Sequence, residues 1–425
     1  MRKISHVVTR PGRQLGDPAV DIPVPQDFAT VPGIPQHSKD VDFYSREYPL
    51  QRQQVEHAAD TEWAPSVGTA AMQQYHHEHQ AVMNPFYGLM NASGDLEPTG
   101  TPTGEDVTAL IKAKARELGY LDVGLTAHDR RYVYEDRRQH IKYPHAVCLA
   151  LEQDFVDTQS APSMDAEHGH YGTYEVQAPL GLEMAAYIRS LGYHAQVHGP
   201  SNHSAATIPM FVQAGLGQLG ANGQLLTPHA GARCRLQIIT TDAPVTYDGP
   251  VDYGFHALCQ TCQVCVDRCP GRALSREKIW WRGVEKNKLA YKRCRPVMVR
   301  YEGCAICMKV CPVTRYGGKA VMEHYLETGQ ILGKGTHGLE GYTLHSESTG
   351  TYAQGYFGPG ELPVFNSEFF NIPQGTREQA ALEKLLTVLG TNHASADGEE
   401  AVLQAFGNRL KSIVKGEAIS DSTMF

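Results

Sequence analysis

Apolar residues recur at helical spacing in two segments of the chain. The first segment spans residues 103–119, where a Thr-x-x-Asp cap precedes Val107 and Gly119 marks the end. The second segment ends at Gly192, and its apolar residues form one helical face, at Val176, Leu180, Met184, Ile188 and Leu191. Both patterns predict amphipathic helices.

Short continuous apolar runs follow these helices and predict buried strands. They are LDVGL at 121–125, VCLAL at 147–151, the segment 193–197 and CRLQIITTD at 234–242. Helices alternating with strands favour a mixed core, and we predict an α+β, α/β-like fold. We also predict a helix within 51–80, a linker over 87–104, and two helices near the C-terminus, Thr376–Gly390 and about 399–411.

The chain divides into four predicted regions. Residues 1–104 are predicted to be an N-terminal arm and linker, and 105–250 the α/β core. Residues 251–320 form a cysteine-rich domain, and 321–425 are expected to complete the core with loops and helices.

Composition and charge exclude several classes of protein. Hydrophobic residues make up 41% of 425, so a large globular core can form. The net charge of -8 makes nucleic-acid binding unlikely overall. No apolar run reaches the roughly 18–20 residues of a membrane span, and no signal peptide is recognised. We therefore expect no membrane association and a cytoplasmic location.

Eight of the ten cysteines fall between Cys259 and Cys311. A disulfide scaffold would spread its cysteines through a short secreted chain, so this local concentration predicts a metal centre. The first run is CxxCxxCxxxCP from Cys259, and the second is Cys-x9-CxxCxxxCP from Cys294. The other two, Cys148 and Cys234, lie in apolar runs and are predicted to be core residues.

The spacing of the eight cysteines predicts two [4Fe-4S] clusters. Three cysteines at x2 spacing supply three ligands of one cubane, and the cysteine before proline serves the neighbouring cluster. Cluster one is assigned to Cys259, Cys262, Cys265 and Cys311. Cluster two is assigned to Cys269, Cys294, Cys304 and Cys307. Tetrahedral zinc sites are the competing interpretation.

Two other polar groupings permit more than one interpretation. Eleven basic residues between Arg268 and Arg300 either offset cluster charge, dock an acidic electron carrier, bind RNA, or form a solvated face. His76, His77, Glu78 and His79 suggest a metal site, but we interpret them as the solvated face of a polar helix.

The order of the α/β core, CxxCxxCxxxCP and CxxCxxxCP resembles the cobalamin-dependent reductive dehalogenases. The similarity spans about 174–312 and includes IPMFVQAGLGQLGANGQLLTP, RCRLQIITTD and HALCQTCQVCVDRCP. Epoxyqueuosine reductase is a relative with the same layout. The resemblance implies a nitroreductase-like core that binds base-off cobalamin largely through backbone, followed by a ferredoxin-like two-cluster domain. Close backbone approach to the corrinoid would occur at Gly215, Gly217, Gly220 and Gly223.

The resemblance also implies a catalytic set. The proton-donating tyrosine just before the second helix falls on Tyr174, with Tyr171 as the alternative. A nearby cation and the helix N-terminus would help a phenol to release its proton. The basic partner falls on Arg235, with Arg233 as the alternative, and an asparagine falls on Asn202.

The function implied is reductive dehalogenation of an organohalide, with a halogenated aromatic favoured. An external low-potential donor such as ferredoxin or flavodoxin would pass electrons through the two clusters to form Co(I), and Tyr174 would supply the proton. One alternative is a tRNA-modifying epoxyqueuosine reductase-like enzyme, for which Asp165 is a candidate acid. Another is an electron-transfer protein without corrinoid. The sequence does not predict an oligomeric state.

Overall fold

The computed structural model describes residues 69–134, 137–199, 204–277, 279–281, 284–287, 289, 291–345 and 354–363. Several predictions lie outside these residues. They are most of the helix predicted within 51–80, both helices near the C-terminus, and Asn202.

An antiparallel four-stranded sheet forms the centre of the fold. Its strands are β1 (Asp122–Ala127), β2 (His145–Glu152), β3 (Ala195–His198) and β6 (Cys234–Thr241). They lie in the order β1-β2-β6-β3, and each neighbouring pair is antiparallel. The four predicted strands are therefore present, and the sheet makes this a mixed α+β fold.

Five helices accompany this sheet. They are α1 (Ala70–Ala92), α2 (Thr108–Glu117), α3 (Phe155–Ser160), α4 (Met164–Ser190) and α5 (Ile208–Gln213). The prediction that residues 87–92 belong to a linker was wrong, because α1 continues through them and buries Met90. Helix α4 begins well before the predicted apolar face, where the Ser163 side chain accepts a hydrogen bond from the backbone N–H of Ala166.

The sheet is buried on both faces. One face packs against α1, α2 and α4 through residues such as Ile111, Leu149 and Ile188. The opposite face packs on α5 and the loops around it, where Phe211 meets Cys148. Burial on both faces explains why β2 is a continuous apolar run instead of an alternating one. Cys148 and Cys234 are both buried, as predicted.

The remaining described strands lie in pairs, and most of the remaining helices are short. Strands β4 (Gln218–Leu219) and β5 (Leu225–Leu226) form a hairpin, as do β7 (Ile279–Trp281) and β8 (Val284–Lys286), and β9 (Tyr342–Leu344) pairs with β10 (Gly355–Phe357). The helices are α6 (Phe255–Cys262), α7 (Val264–Asp267), α8 (Tyr291–Arg300), α9 (Ile306–Lys309), α10 (Pro312–Tyr316), α11 (Gly318–Thr328) and α12 (His337–Glu340).

A third apolar core surrounds the cysteine-rich helices. It includes Phe255, Leu258 and Val313, and it continues through Met322 of α11 and Tyr342 of β9. The packing of this region thus extends past residue 320, where the sequence placed a boundary. Among the described helices, none has the length and apolar character to cross a membrane.

Adjacent residues of α2 provide a test of the core packing. Ile111→Ala should lower the free energy of unfolding by about 2–5 kcal/mol, because Ile111 is fully buried between α2 and the sheet. Leu110→Ala is the control, since Leu110 is 47% exposed and its loss should cost no more than about 0.5 kcal/mol. Unfolding followed by circular dichroism would measure both, and equal effects would contradict the packing described.

Candidate active site

The eight clustered cysteines separate into two neighbouring groups of four. Burial raises the pKa of the Cys265 thiol, and the next largest contributions come from Cys259, Cys311 and Cys262. Burial likewise raises the pKa of Cys294, followed by contributions from Cys269, Cys304 and Cys307. These sets coincide with the two ligand sets derived from the spacing. Cys307 also raises the pKa of Cys265, so the two groups adjoin.

Backbone N–H groups point at some of these sulfurs. The N–H of Ala221 donates to Cys259 Sγ at 3.5 Å, and that of Ala273 donates to Cys269 Sγ at 3.3 Å. Positive φ angles at Gln263 and Ala305, each preceding a short helix, turn the chain within the two cysteine runs. Hydrogen bonds to sulfur favour the thiolate and tune the potential of an iron–sulfur cluster.

The donor set consists of two groups of four thiols. Four thiolates can surround one zinc ion, whereas each thiolate of a cubane binds a different iron. Across the described ranges, no three His, Cys, Asp or Glu side chains are placed to hold one metal ion. The prediction of cubanes rests on the spacing of the cysteines along the chain.

Tyr174 and Arg235 lie together between α4 and β6. The guanidinium carbon of Arg235 is 5.2 Å from the centre of the Tyr174 ring, a cation–π distance. Gln177, one turn after Tyr174, donates from Nε2 to the carbonyl oxygen of Arg235 at 3.0 Å and so fixes the helix to the strand. Arg235 Nε is buried and has no hydrogen-bond partner among the described residues. A cation with an unused donor can bind an anion or stabilise a phenolate.

One expectation about Tyr174 was wrong. It does not precede the helix, because α4 begins at Met164 and Tyr174 lies ten residues inside it. The field of a helix N-terminus is confined to the first turn, so it does not act on this phenol. Arg235 is the nearby cation that the geometry supplies.

Arg233, the alternative basic residue, makes different contacts. Its Nη1 donates to Glu152 Oε1 at 2.6 Å and to the carbonyl oxygen of Gln153 at 2.7 Å. The Arg233 and Glu152 side chains are both buried. A buried pair of this kind leaves an uncompensated charge when either partner is removed, which gives Arg233 a structural role.

Histidines of α1 contact α4 beside this site. The interpretation of 76–79 as a solvated face was wrong for His76 and His79, which are both buried. His76 Nε2 lies 2.9 Å from Glu167 Oε1, and His79 Nδ1 lies 2.8 Å from Glu175 Oε1. The helical spacing of Met72, His76, His79 and Met83 was the available signal, since all four are buried on one face.

Glu167 also contacts the loop that precedes Cys304. It lies 3.3 Å from His170 through Oε2 and Nδ1, and its carboxylate rests against Gly303. A Cβ added at Gly303 would come within 2.3 Å of Glu167 Oε2, and Gly303 has a φ of +79°. Helix α4 therefore contains Tyr174 and also contacts the loop that precedes Cys304.

The glycines of the 215–223 loop permit close approaches within the protein itself. A Cβ at Gly215 would meet the carbonyl oxygen of Gly249 at 2.6 Å, and one at Gly217 would meet that of Leu226 at 2.3 Å. Gly220 faces the Leu226 side chain, and Gly223 has a φ of +75° in the β4–β5 turn. Corrinoid contact by these four glycines stays a prediction.

Two further predicted residues do not join this geometry. Asn202 lies outside the described residues. Asp165 is exposed in the first turn of α4, nine residues before Tyr174, which is about 13 Å along the helix axis.

No known protein-family profile matches the chain. A tetrachloroethene reductive dehalogenase from Desulfitobacterium hafniense is 35% identical over 132 residues, covering 31% of this chain and 24% of the relative. An epoxyqueuosine reductase from Cyclobacterium marinum is 32% identical over 123 residues, covering 27% of this chain and 39% of the relative. The matches thus span about a quarter to two fifths of these relatives' lengths.

Solved structures of reductive dehalogenases share the fold. One, described as suggesting a mechanism for B12-dependent dehalogenation, has a TM-score of 0.54 and 26% identity, covering 63% of this chain and 41% of its own. A catabolic reductive dehalogenase solved with 3-bromo-4-hydroxybenzoic acid has a TM-score of 0.52 and 25% identity. The match covers 61% of this chain and 41% of that dehalogenase chain. The predicted resemblance is confirmed, since relatives and structural neighbours are reductive dehalogenases, which are oxidoreductases.

A comparison of two glycines with similar φ angles tests the contact between Glu167 and the loop before Cys304. Gly303→Ala should destabilise the protein by about 1–3 kcal/mol beyond the cost of the positive φ, because its Cβ overlaps the Glu167 carboxylate. Gly104→Ala carries the φ cost alone, since Gly104 has a φ of +76° and open space around it. Matched unfolding midpoints for the two variants would contradict this contact.

Proposed function

We propose that this protein is a reductive dehalogenase that converts R–X, two electrons and a proton into R–H and halide. The observation that carries the proposal is the placement of the Arg235 guanidinium over the Tyr174 ring, with a buried Nε that has no partner in the described structure. This pairing lies in a fold shared with reductive dehalogenases.

The proposed cofactors are two [4Fe-4S] clusters and base-off cobalamin. The eight cysteines of the two groups would hold the clusters in a ferredoxin-like domain, and the 215–223 loop would approach the corrinoid in a nitroreductase-like core. The N–H of Ala221 in that loop donates to Cys259 Sγ, so the loop adjoins the first thiol group. Cobalamin, when bound and reduced, supplies the two electrons that break the carbon–halogen bond.

Tyr174 and Arg235 would supply the proton chemistry. Tyr174 would hold a proton on its phenol oxygen and give it to the carbon that loses the halogen. The guanidinium of Arg235, whose carbon lies 5.2 Å from the centre of the Tyr174 ring, would offset the negative charge of the tyrosinate that remains. Gln177 would keep Arg235 in register through the 3.0 Å bond to its backbone.

A halogenated aromatic is the proposed substrate class. The neighbour solved with 3-bromo-4-hydroxybenzoic acid supports it, and the unused Arg235 donor suits the anionic oxygen of a halophenolate. Electrons would come from a separate low-potential carrier such as ferredoxin or flavodoxin.

The first test removes the proposed proton donor. Tyr174→Phe should lower the halide-release rate by about 10²–10⁴-fold, because a positioned general acid contributes that much. Corrinoid and iron contents should be unchanged. Halide would be measured with a bromophenol and chlorophenol panel under a low-potential chemical reductant.

Tyr171→Phe is the matched control, since Tyr171 lies 6.1 Å from Tyr174 between ring centres on the same helix. Full activity in Tyr174→Phe would refute the assignment, and loss in Tyr171→Phe alone would move the role to Tyr171.

The second test concerns the least regular cysteine. Cys294→Ser should reduce the iron content from about eight to about four per chain, because cluster two would lose a ligand. Iron analysis and electron paramagnetic resonance of anaerobically reconstituted protein would measure this. Cys148→Ser should keep all the iron, since Cys148 is buried in the apolar core. Iron retained in full by Cys294→Ser would exclude it as a ligand.

The epoxyqueuosine reductase-like alternative rests on the relative at 32% identity over 123 residues. Its candidate acid Asp165 is exposed and about 13 Å along α4 from Tyr174, which is a poor position for a shared site. Turnover of epoxyqueuosine-containing tRNA without halide release from the panel would decide for this alternative. Failure to bind corrinoid would favour the electron-transfer alternative.

A further inference from the structure

Glu167, His170 and Tyr174 follow one another along one face of α4. Their spacing of three and four residues places consecutive side chains side by side on a helix. His170 Nδ1 lies 3.3 Å from Glu167 Oε2, and the His170 and Tyr174 ring centres are 5.6 Å apart. A carboxylate, an imidazole and a phenol are thus arranged in sequence.

We propose that His170, positioned by Glu167, returns a proton to Tyr174 after each turnover. The proposal rests on the proposed function, because it assumes that Tyr174 gives up its proton to substrate. The ring centres lie 5.6 Å apart, and the proton would pass between them through a bridging water molecule.

Glu167 is held as a carboxylate in a buried position. Burial alone would raise its pKa, but hydrogen bonds from His170 and His76 outweigh burial and hold the pKa below its ordinary value. The backbone of Gly303 also packs against the same carboxylate oxygen. Glu167 is therefore a fixed acceptor that orients the His170 ring.

The contact with Glu167 decides which nitrogen of His170 carries the ring proton. Because ionised Glu167 accepts through Oε2, the hydrogen-bond network assigns the ring proton of neutral His170 to Nδ1. The lone pair then resides on Nε2, which can accept a proton from water and pass it on. Water reaches the ring because the His170 side chain is 27% exposed.

The charges around His170 make its proton affinity depend on the state of Tyr174. Most of the His170 side chain is buried, and this burial and then the Arg235 cation lower the pKa of His170 below its ordinary value, so the imidazole is neutral at pH 7. His76 from α1 lowers the pKa further, whereas Glu167 raises it. A tyrosinate at Tyr174 would oppose the Arg235 charge and raise the proton affinity of His170.

The transfer balances without an added redox partner. After Tyr174 has protonated the product carbon, His170 Nε2 binds H⁺ from the solvent and His170 becomes imidazolium. The imidazolium N–H bond then breaks as the phenol O–H bond forms, which restores neutral His170 and Tyr174. No electrons move in this step.

A comparison of first and later turnovers tests the role. His170→Gln should leave the first turnover near the wild-type rate, because Tyr174 already carries its proton. Steady-state kcat should fall about tenfold or more while KM changes little. His168→Gln is the matched control, since His168 is an exposed residue of the same helix that packs on Tyr75.

A second measurement does not depend on dehalogenation. Histidine is labelled at ¹³Cε1 in the oxidised holoprotein, and the His170 resonance is assigned by its loss in His170→Gln. NMR then gives the midpoint of the pH titration of the His170 ring. Arg235→Gln should shift that midpoint upward, because the repelling cation is removed.

The outcomes separate the two proposals. If wild-type protein released no halide from any substrate, the proposed function would be refuted. A higher titration midpoint of His170 in Arg235→Gln would still establish the charge coupling between Arg235 and His170. An unchanged midpoint in Arg235→Gln, or wild-type kcat in His170→Gln with active wild-type enzyme, would overturn the role of His170.

Discussion

The contact between α4 and β6 is the constraint on which the rest of this structure depends. Gln177 bonds to the Arg235 backbone at 3.0 Å, and Gly181, one turn later, allows the helix to approach so closely that an added Cβ would lie 2.3 Å from Gln237 Nε2. These contacts set the register of α4 on β6, and the guanidinium carbon of Arg235 lies 5.2 Å from the centre of the Tyr174 ring. The C-terminal half of the same helix buries Ile188 against the sheet. Apolar packing in this half therefore helps to position the polar residues of the other half.

The polar half of α4 imposes a second requirement. A carboxylate as deeply buried as that of Glu167 is unfavourable unless hydrogen bonds replace the water it has lost. His76 of α1 and His170 of α4 provide those bonds, so the long α1 helix is needed to complete the site. The chemistry of α4 is thereby tied to a segment that precedes the sheet.

Local patterns predicted the strands and the cysteine groups, because burial on both faces and ligand spacing are recorded within a few residues. The pairing of Tyr174 with Arg235 followed from the family resemblance, since no local pattern joins residues so far apart. The start of α4 and the burial of His76 were both missed because hydrophobic periodicity does not detect polar residues. The cap of α4 is local, but the first turns of the helix are polar and carry no continuous apolar face. His76 is buried against Glu167 from a distant segment, and hydrophobic periodicity does not register a buried polar residue whose partner lies elsewhere.

The site and the cysteine groups are also connected physically. Ala221, in the loop beside the first group, donates to Cys259, and Glu167 rests against Gly303 just before Cys304. Two contacts therefore join the sheet-bearing core to the two groups of thiols, one through the β4–β5 turn and one through α4. The proposed reaction would need electrons and a proton at one carbon. Helix α4 contributes Tyr174 and also contacts the loop before Cys304, so a single element would hold the proposed proton donor and adjoin a proposed cluster ligand.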